Sequence, residues 1–149
     1  MTYENFKYEV RKLGLNFYVL NDLISVQDSE RNALYSVDTT KQYIIYPTKR
    51  FSQLDNAMQE KLFYLIILLA RTPIDDRGDL YKETKWYLKH KYLNTWGGRN
   101  YLRQDKGGTD LSLGCKVDDI TMTSKFTKYD LDQLAKRMNI YDFIKEKVE

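Results

Sequence analysis

From Ser52 to Arg71 the chain carries neither Gly nor Pro, and the second half of that stretch, Leu62 to Ala70, is apolar throughout. The pattern predicts a helix over 52–71. Ser52 and Asp55 both suit its N-cap. Thr72-Pro73 ends it, because the residue before a proline avoids the helical region. A helix apolar nearly all round is buried on most sides, so it is expected to be the central core element, covered by a sheet. The run is too short to span a membrane, which takes about 20 apolar residues.

The flanking sequence reads as short strands and two further helical regions. Tyr3, Phe6, Val10 and Leu13 recur at spacings of three and four and predict a helix over 2–13, with Thr2 as N-cap and Gly14 as stop. Strands are expected at 16–20, 23–26, 33–37 and 42–46, the first two separated by the turn pair Asn21-Asp22 and the last closed by Pro47. After the long helix, Thr84, Trp86, Leu88 and His90 alternate with Lys85, Tyr87, Lys89 and Lys91, a strand pattern over 83–93. Gly97-Gly98 and Gly107-Gly108 mark turns around strands at 100–104 and 109–115, and 120–125 reads as one more. Thr127 with Asp130 resembles a capping box. It opens a helix with Tyr129, Leu131, Leu134, Ala135 and Met138 on its apolar face, and 141–148 reads as a last helical stretch.

The order predicts an α+β fold: antiparallel β-meanders packed on a central buried helix. A weak internal repeat points to two tandem meander-plus-helix units. Gln27-Asp28 recurs as Gln104-Asp105, Leu34 as Leu111, and Arg50-Phe51-Ser52 resembles Lys125-Phe126-Thr127. The expected units are 1–78, helix–meander–helix, and 79–149, a basic meander–helix. One continuous domain is the alternative.

The 149 residues include one Cys and one His. That excludes a disulfide framework and a Cys/His zinc cage, and it fits a reducing, cytoplasmic compartment. Met1-Thr2-Tyr3-Glu4-Asn5-Phe6-Lys7 does not read as a secretory signal. The formal charge is +3, and it is unevenly placed. Residues 82–106 carry Lys82, Lys85, Lys89, Lys91, Arg99, Arg103 and Lys106 against Glu83 and Asp105, net +5. The same stretch holds Trp86, Tyr87, Tyr92, Trp96 and Tyr101. Cations interleaved with rings suit a phosphate backbone with unstacked bases. They equally suit a protein–protein hot spot. The alternative is a charged solvent face, with Lys85, Lys89 and Lys91 outside and Trp86 and Leu88 in the core.

Catalytic chemistry is thin. His90 alone makes no triad, and its expected role is a surface or hydrogen-bonded structural one. Cys115, beside Lys116, reads as a small buried residue. Asp76, Glu83 and Lys85 form the one pattern that a metal-dependent nuclease could use, with carboxylates on the ion and the lysine placing the attacking water. Against it, the acids suit loop and capping roles. Asp118-Asp119 reads as a turn, and neither glycine pair is followed by the helix and Lys-Ser/Thr of a phosphate loop.

Glu60-Lys61-Leu62-Phe63, Leu69-Ala70-Arg71-Thr72-Pro73-Ile74-Asp75-Asp76-Arg77, Tyr87-Leu88-Lys89-His90-Lys91-Tyr92-Leu93 and Ser124-Lys125-Phe126-Thr127 together cover stretches across most of the chain. In these the sequence resembles small uncharacterised phage and prophage accessory proteins of Gram-positive bacteria. It departs from that pattern at Gly78-Asp79, where a longer Glu-rich run is expected. The resemblance brings no catalytic residues. It implies an accessory gene product acting stoichiometrically on a host machine such as a CRISPR effector or a restriction system.

The expectation is therefore a non-enzymatic binding protein of phage origin, most concretely an inhibitor of a host defence system. Its contact residues would be Lys85, Lys89, Lys91, Trp96, Arg99, Tyr101 and Arg103. The partner would be a host or phage protein complex, a nucleoprotein included, with no cofactor, no metal and no membrane. Direct nucleic-acid binding in phage replication or regulation and the nuclease are the two alternatives.

Overall fold

The computed structural model describes residues 1–93 and 100–149. The Gly97-Gly98 turn expected from the sequence lies outside them. The described chain is α+β, with three α-helices and ten strands, all paired antiparallel. It divides into two units, Met1–Lys82 and Glu83–Glu149, whereas the sequence reading places the boundary after Gly78. Among the described residues no helix is long and apolar enough to cross a membrane.

The first unit opens with α1 (Tyr3–Lys12), capped by the Thr2 hydroxyl accepting from the Asn5 N–H at 3.2 Å. Four strands follow: β1 (Asn16–Leu20), β2 (Leu23–Gln27), β3 (Ala33–Asp38) and β4 (Ile45–Pro47), side by side in chain order. Alternation puts Ile24 and Val26 of β2 and Tyr35 and Val37 of β3 on the buried face. They pack with Tyr3, Phe6 and Val10 of α1 and with Leu62, Leu65, Ile66 and Leu69 of α2 (Asn56–Arg71). Each such fully buried side chain contributes about 2 kcal/mol of transfer free energy.

Three expectations for this unit need correcting. Asp55 caps α2, accepting from the Met58 N–H at 3.0 Å, while Ser52 sits in a preceding 3-10 turn. α2 is not buried on most sides: Phe63 and Tyr64 are exposed, because the sheet and α1 cover only part of it and the apolar run overflows the covered stripe. The strand expected over 42–46 begins only at Ile45 and takes in Pro47. Tyr43 instead adopts a left-handed φ of 64° and donates its N–H to the Ala70 carbonyl at 2.8 Å. It serves the open end of α2 rather than the sheet ladder.

The same helix end binds Arg77, whose side chain is fully buried. Its Nε donates to the Thr72 carbonyl at 2.9 Å, one terminal nitrogen to Ala70 at 3.0 Å and the other to Asp38 at 2.7 Å. A planar fork with fixed donors is what reaches three carbonyls at once. The negative end of the α2 dipole favours a cation there.

The second unit contains β5 (Lys85–His90), β6 (Tyr101–Asp105), β7 (Leu111–Gly114), β8 (Met122–Thr123), β9 (Phe126–Thr127), α3 (Lys128–Arg137) and β10 (Phe143–Lys147). The sheet order is β10-β5-β6-β7. β5 and β6 pair only at Lys89–Tyr101 and then diverge. β9 fills the gap against Lys85 and Trp86, and β8 fills it against Gln104 and Asp105. Leu88, Leu102, Phe126, Leu131, Leu134 and Phe143 form the core. The Thr127–Asp130 capping box closes in full: the Asp130 N–H donates to the Thr127 hydroxyl and the Thr127 N–H to the Asp130 carboxylate.

Two corrections belong here. The stretch 141–148 is not helical. It is a 3-10 turn at Ile140–Asp142 followed by β10, whose Phe143 to Lys147 pair with His90 to Trp86. Too short to hold a helix by itself, the segment takes the conformation that closes the open edge of β5. Of the strand expected over 120–125 only Met122–Thr123 forms, as β8; β9 follows beyond it at Phe126–Thr127, and Ile120 is 89% exposed.

The loops at Gln27-Asp28 and Gln104-Asp105 share a hydrogen-bond plan. The Asp28 carboxylate accepts from the Glu30 and Asn32 N–H groups, and its carbonyl accepts from Arg31, which has a φ of 66°. The Asp105 carboxylate accepts from Gly107 and Asp110, and its carbonyl accepts from Gly108, which has a φ of 80°. The second loop is longer by one residue.

Arg77 generates the stability prediction. Arg77→Met keeps the stem but removes the donor to the Asp38 and Thr72 carbonyls and one of the two donors to Ala70, and it should lower the unfolding free energy by about 3 kcal/mol. Arg71→Met, at an exposed position in the same helix end, should change it by less than about 0.5 kcal/mol. Urea unfolding of the full chain reads both, and equal effects would refute the role given to Arg77.

Candidate functional site

Alternation along β5 sends Lys85, Tyr87 and Lys89 to one face of the second sheet and Trp86, Leu88 and His90 to the other. Leu88 is fully buried and Trp86 packs beside it. The His90 ring lies 5.0 Å from that of Phe143. Cross-strand pairing adds Tyr101 to the outer face opposite Lys89, with Arg103 two residues on, and Glu146 of β10 opposite Tyr87.

At the centre of this face are two tyrosines and an ion pair. The Tyr87 and Tyr101 rings meet edge to face, 6.1 Å apart. The Lys116 ammonium stands 4.5 Å from the Tyr87 ring centre and 5.3 Å from that of Tyr101. It donates to Glu146 Oε2 at 3.0 Å, and the Tyr101 hydroxyl donates to the same oxygen at 3.0 Å. Lys116 holds the Glu146 carboxyl below its usual range, and Glu146 in return raises the Lys116 ammonium. Burial, reinforced by Glu146, pushes the Tyr101 phenol up.

Arg103 lies flat across Gly114, where an added Cβ would collide with Arg103 Cδ. Its guanidinium pairs with Asp119, which also accepts from the Thr121 and Met122 N–H groups. That arginine, followed by the amides, holds Asp119 far below the usual carboxylate range. Lys125 pairs with Asp118 at 3.3 Å. Arg103, Lys116 and Lys125 therefore each have a carboxylate partner.

Of the seven expected contact residues, Lys85, Lys89, Tyr101 and Arg103 share the outer face. Lys91 is exposed beyond the end of β5, its N–H donating to the Asp142 carbonyl at 2.8 Å. Trp96 and Arg99 lie outside the described residues. Sequence reasoning left Tyr87 out of the contact set although its strand position marks it. It missed Lys116 and Glu146 because Lys116 was weighed only as a neighbour of Cys115 and Glu146 was placed in a helix. Cys115 itself is exposed, not the small buried residue expected, since β7 ends before it.

The nuclease trio is divided: Asp76 belongs to the first unit, and Glu83 and Lys85 to the second. Among the described residues no three His, Cys, Asp or Glu side chains come together to hold a metal. His90 has a structural task, its Nδ1 accepting from the Tyr92 and Leu93 N–H groups at 3.2 Å each. A cavity of about 410 Å³ lies between the Gly107-Gly108 turn and α3. Two of its charged groups are committed to the fold: Arg137 donates to the Gly108 and Thr109 carbonyls, and the Asp130 carboxylate accepts from Thr127 in the cap of α3.

The lowered carboxylates set a pH dependence. Asp118, Asp119 and Glu146 all titrate below their ordinary values in the folded chain. The unfolded chain therefore binds protons first as pH falls, and the stabilisation present above about pH 4 is lost below it. The melting temperature of the second unit, followed by NMR, should stay level from about pH 7 to 5 and drop below about pH 4. Glu146→Gln should blunt that drop, and an unchanged acid limb in this variant would refute its share. Comparison with known protein families, with characterised proteins and with solved structures finds no match for this chain.

Proposed function

We propose that this chain is a non-enzymatic binding protein of the phage accessory type, acting in the cytoplasm of a bacterial host. It would occupy a protein surface of a defence machine, and the outer face of the second sheet makes the contact. The observation that carries this reading is the Tyr87–Tyr101 pair on the outer sheet face, flanked by the Lys116–Glu146 and Arg103–Asp119 ion pairs. Large rings inside a rim of matched charge are what a protein interface uses. A nucleic-acid groove needs cations available to replace counterions, and here Arg103, Lys116 and Lys125 each hold a carboxylate. Lys85 and Lys89 then serve orientation and rate of encounter. In the same reading the two units are copies of one meander-plus-helix plan. The matching Asp28 and Asp105 loops support it.

The test uses the full chain as bait in lysate of a Gram-positive bacterium, with and without nuclease. A stoichiometric protein partner should remain after nuclease treatment. Tyr87→Ala or Tyr101→Ala should weaken capture at least about tenfold, the effect of an interface hot spot, and Lys85→Glu with Lys89→Glu should mainly slow association. Loss of capture on nuclease treatment, together with a gel shift that weakens steeply with salt, would replace this reading by direct nucleic-acid binding. Magnesium-dependent cleavage abolished by Glu83→Ala would replace it by the nuclease.

A further inference from the structure

We propose that the outward face of α2 in the first unit pairs antiparallel with α2 of a second copy of this chain, giving a weak symmetric dimer. The inference stands on the first unit alone and does not depend on the sheet face described above.

α2 carries two apolar stripes, and the fold of one chain uses only one. Leu62, Leu65, Ile66, Leu69 and Ala70 are buried in the core with the sheet and α1. At 3.6 residues per turn, Tyr64 and Ile67 fall on the opposite side, flanked by Phe63 and Leu68. Phe63 is 45% and Tyr64 63% exposed, and Ile67 and Leu68 are half-buried. A surface helix ordinarily turns polar residues outward, so a second apolar stripe marks a contact.

The ends of the stripe say what the contact is. Glu60 precedes Tyr64 by one turn and Arg71 follows Ile67 by one turn, and both are exposed. The spacing 60-64-67-71 is the alternating four and three of a coiled-coil seam. Among the described residues neither Glu60 nor Arg71 has an ion-pair partner. The seam is complementary to itself when reversed. With the twofold axis passing between Leu65 and Ile66, Glu60 meets Arg71 of the second copy and Tyr64 meets its Ile67. The same two pairs recur on the other side of the axis, as an isologous interface requires. Phe63 then lies beside its own counterpart on one flank of the seam, and Leu68 beside its counterpart on the other. Tyr64 and Leu68 also border a groove of about 440 Å³ that includes Leu13 of α1, which widens the apolar contact on that flank. A parallel pairing would set Glu60 against Glu60 and Arg71 against Arg71, and like charges across an interface repel. The charges therefore select both the second copy and its direction.

The 16 residues of α2 span about 24 Å. A contact of that length lies at the low end of specific interfaces, below about 1,200 Å². The dimer should accordingly dissociate at low micromolar concentration.

Sedimentation equilibrium of the full chain at rising concentration, up to about 1 mM, tests the proposal. The chain should pass from monomer to dimer across that range. Tyr64→Glu, at an exposed position, should weaken the dimer by at least about tenfold. Glu60→Arg and Arg71→Glu should each weaken it as well, because each sets like charges opposite one another. The two combined should restore it, because the exchanged charges meet in the same register. This exchange decides the matter if Tyr64→Glu alters the circular dichroism of the chain. A chain that stays monomeric throughout, a dimer that folded Tyr64→Glu leaves intact, or a double exchange that fails to regain the loss would overturn the proposal.

Discussion

The first unit depends on one buried guanidinium. Arg77 ties the last turn of α2, through Ala70 and Thr72, to the end of β3 at Asp38. A helix leaves its last carbonyls without partners, and burying them unsatisfied costs about 1–3 kcal/mol each. Thr72-Pro73 ends the helix but supplies no donors from the proline. Arg77, on the 3-10 turn just beyond, and Tyr43, arriving from the sheet side, supply them instead. The helix end, the strand end and the connecting turn thus share one hydrogen-bond set, and the burial of Leu65, Ile66 and Leu69 rests on that anchor.

The second unit solves a different problem. β5 and β6 touch at one end and diverge at the other, and a sheet cannot leave that wedge of backbone groups dry and unpaired. β8 and β9 fill it from within the chain, and β10 covers the remaining edge of β5. This closure brings Glu146 beside Tyr101, residues 45 apart in sequence. It also draws Lys116 over the two tyrosines. The outer face is an outcome of how the wedge is closed, and its charge balance follows from the carboxylates that β10 and the 118–123 turn deliver.

Much of the fold is legible in the sequence where one period dominates. The spacing of Tyr3, Phe6 and Val10 marks α1, the alternation of Trp86 and Leu88 with lysines marks β5, and Thr127 with Asp130 marks the start of α3. Legibility fails where a segment is short or apolar on all sides. The stretch 141–148 suits a helix by its local pattern and becomes a strand because β5 offers an edge. Phe63 and Tyr64 belong to an apolar run with no marked face, so the run cannot say which residues the core leaves outside. The candidate site was half visible. Lys85, Lys89, Tyr101 and Arg103 were grouped by their charge and rings, but the carboxylates that neutralise Arg103 and Lys116 come from distant segments with no local signal.

The sequence by itself determined the α+β class, the stop of α2 at Thr72-Pro73, the cap that starts α3, and the concentration of cations between residues 82 and 106. These are local matters: caps, turns and periodicities act within a few residues of chain. Tertiary structure alone decided that Arg77 is buried, that the last segment is a strand, that β1 is left with an open edge, and that the tyrosine pair carries a lysine and a glutamate. Each of those rests on which strands find which neighbours. That choice is made by the hydrogen-bonding demand of whole strand edges and by the core they enclose, and neither is written in any one segment.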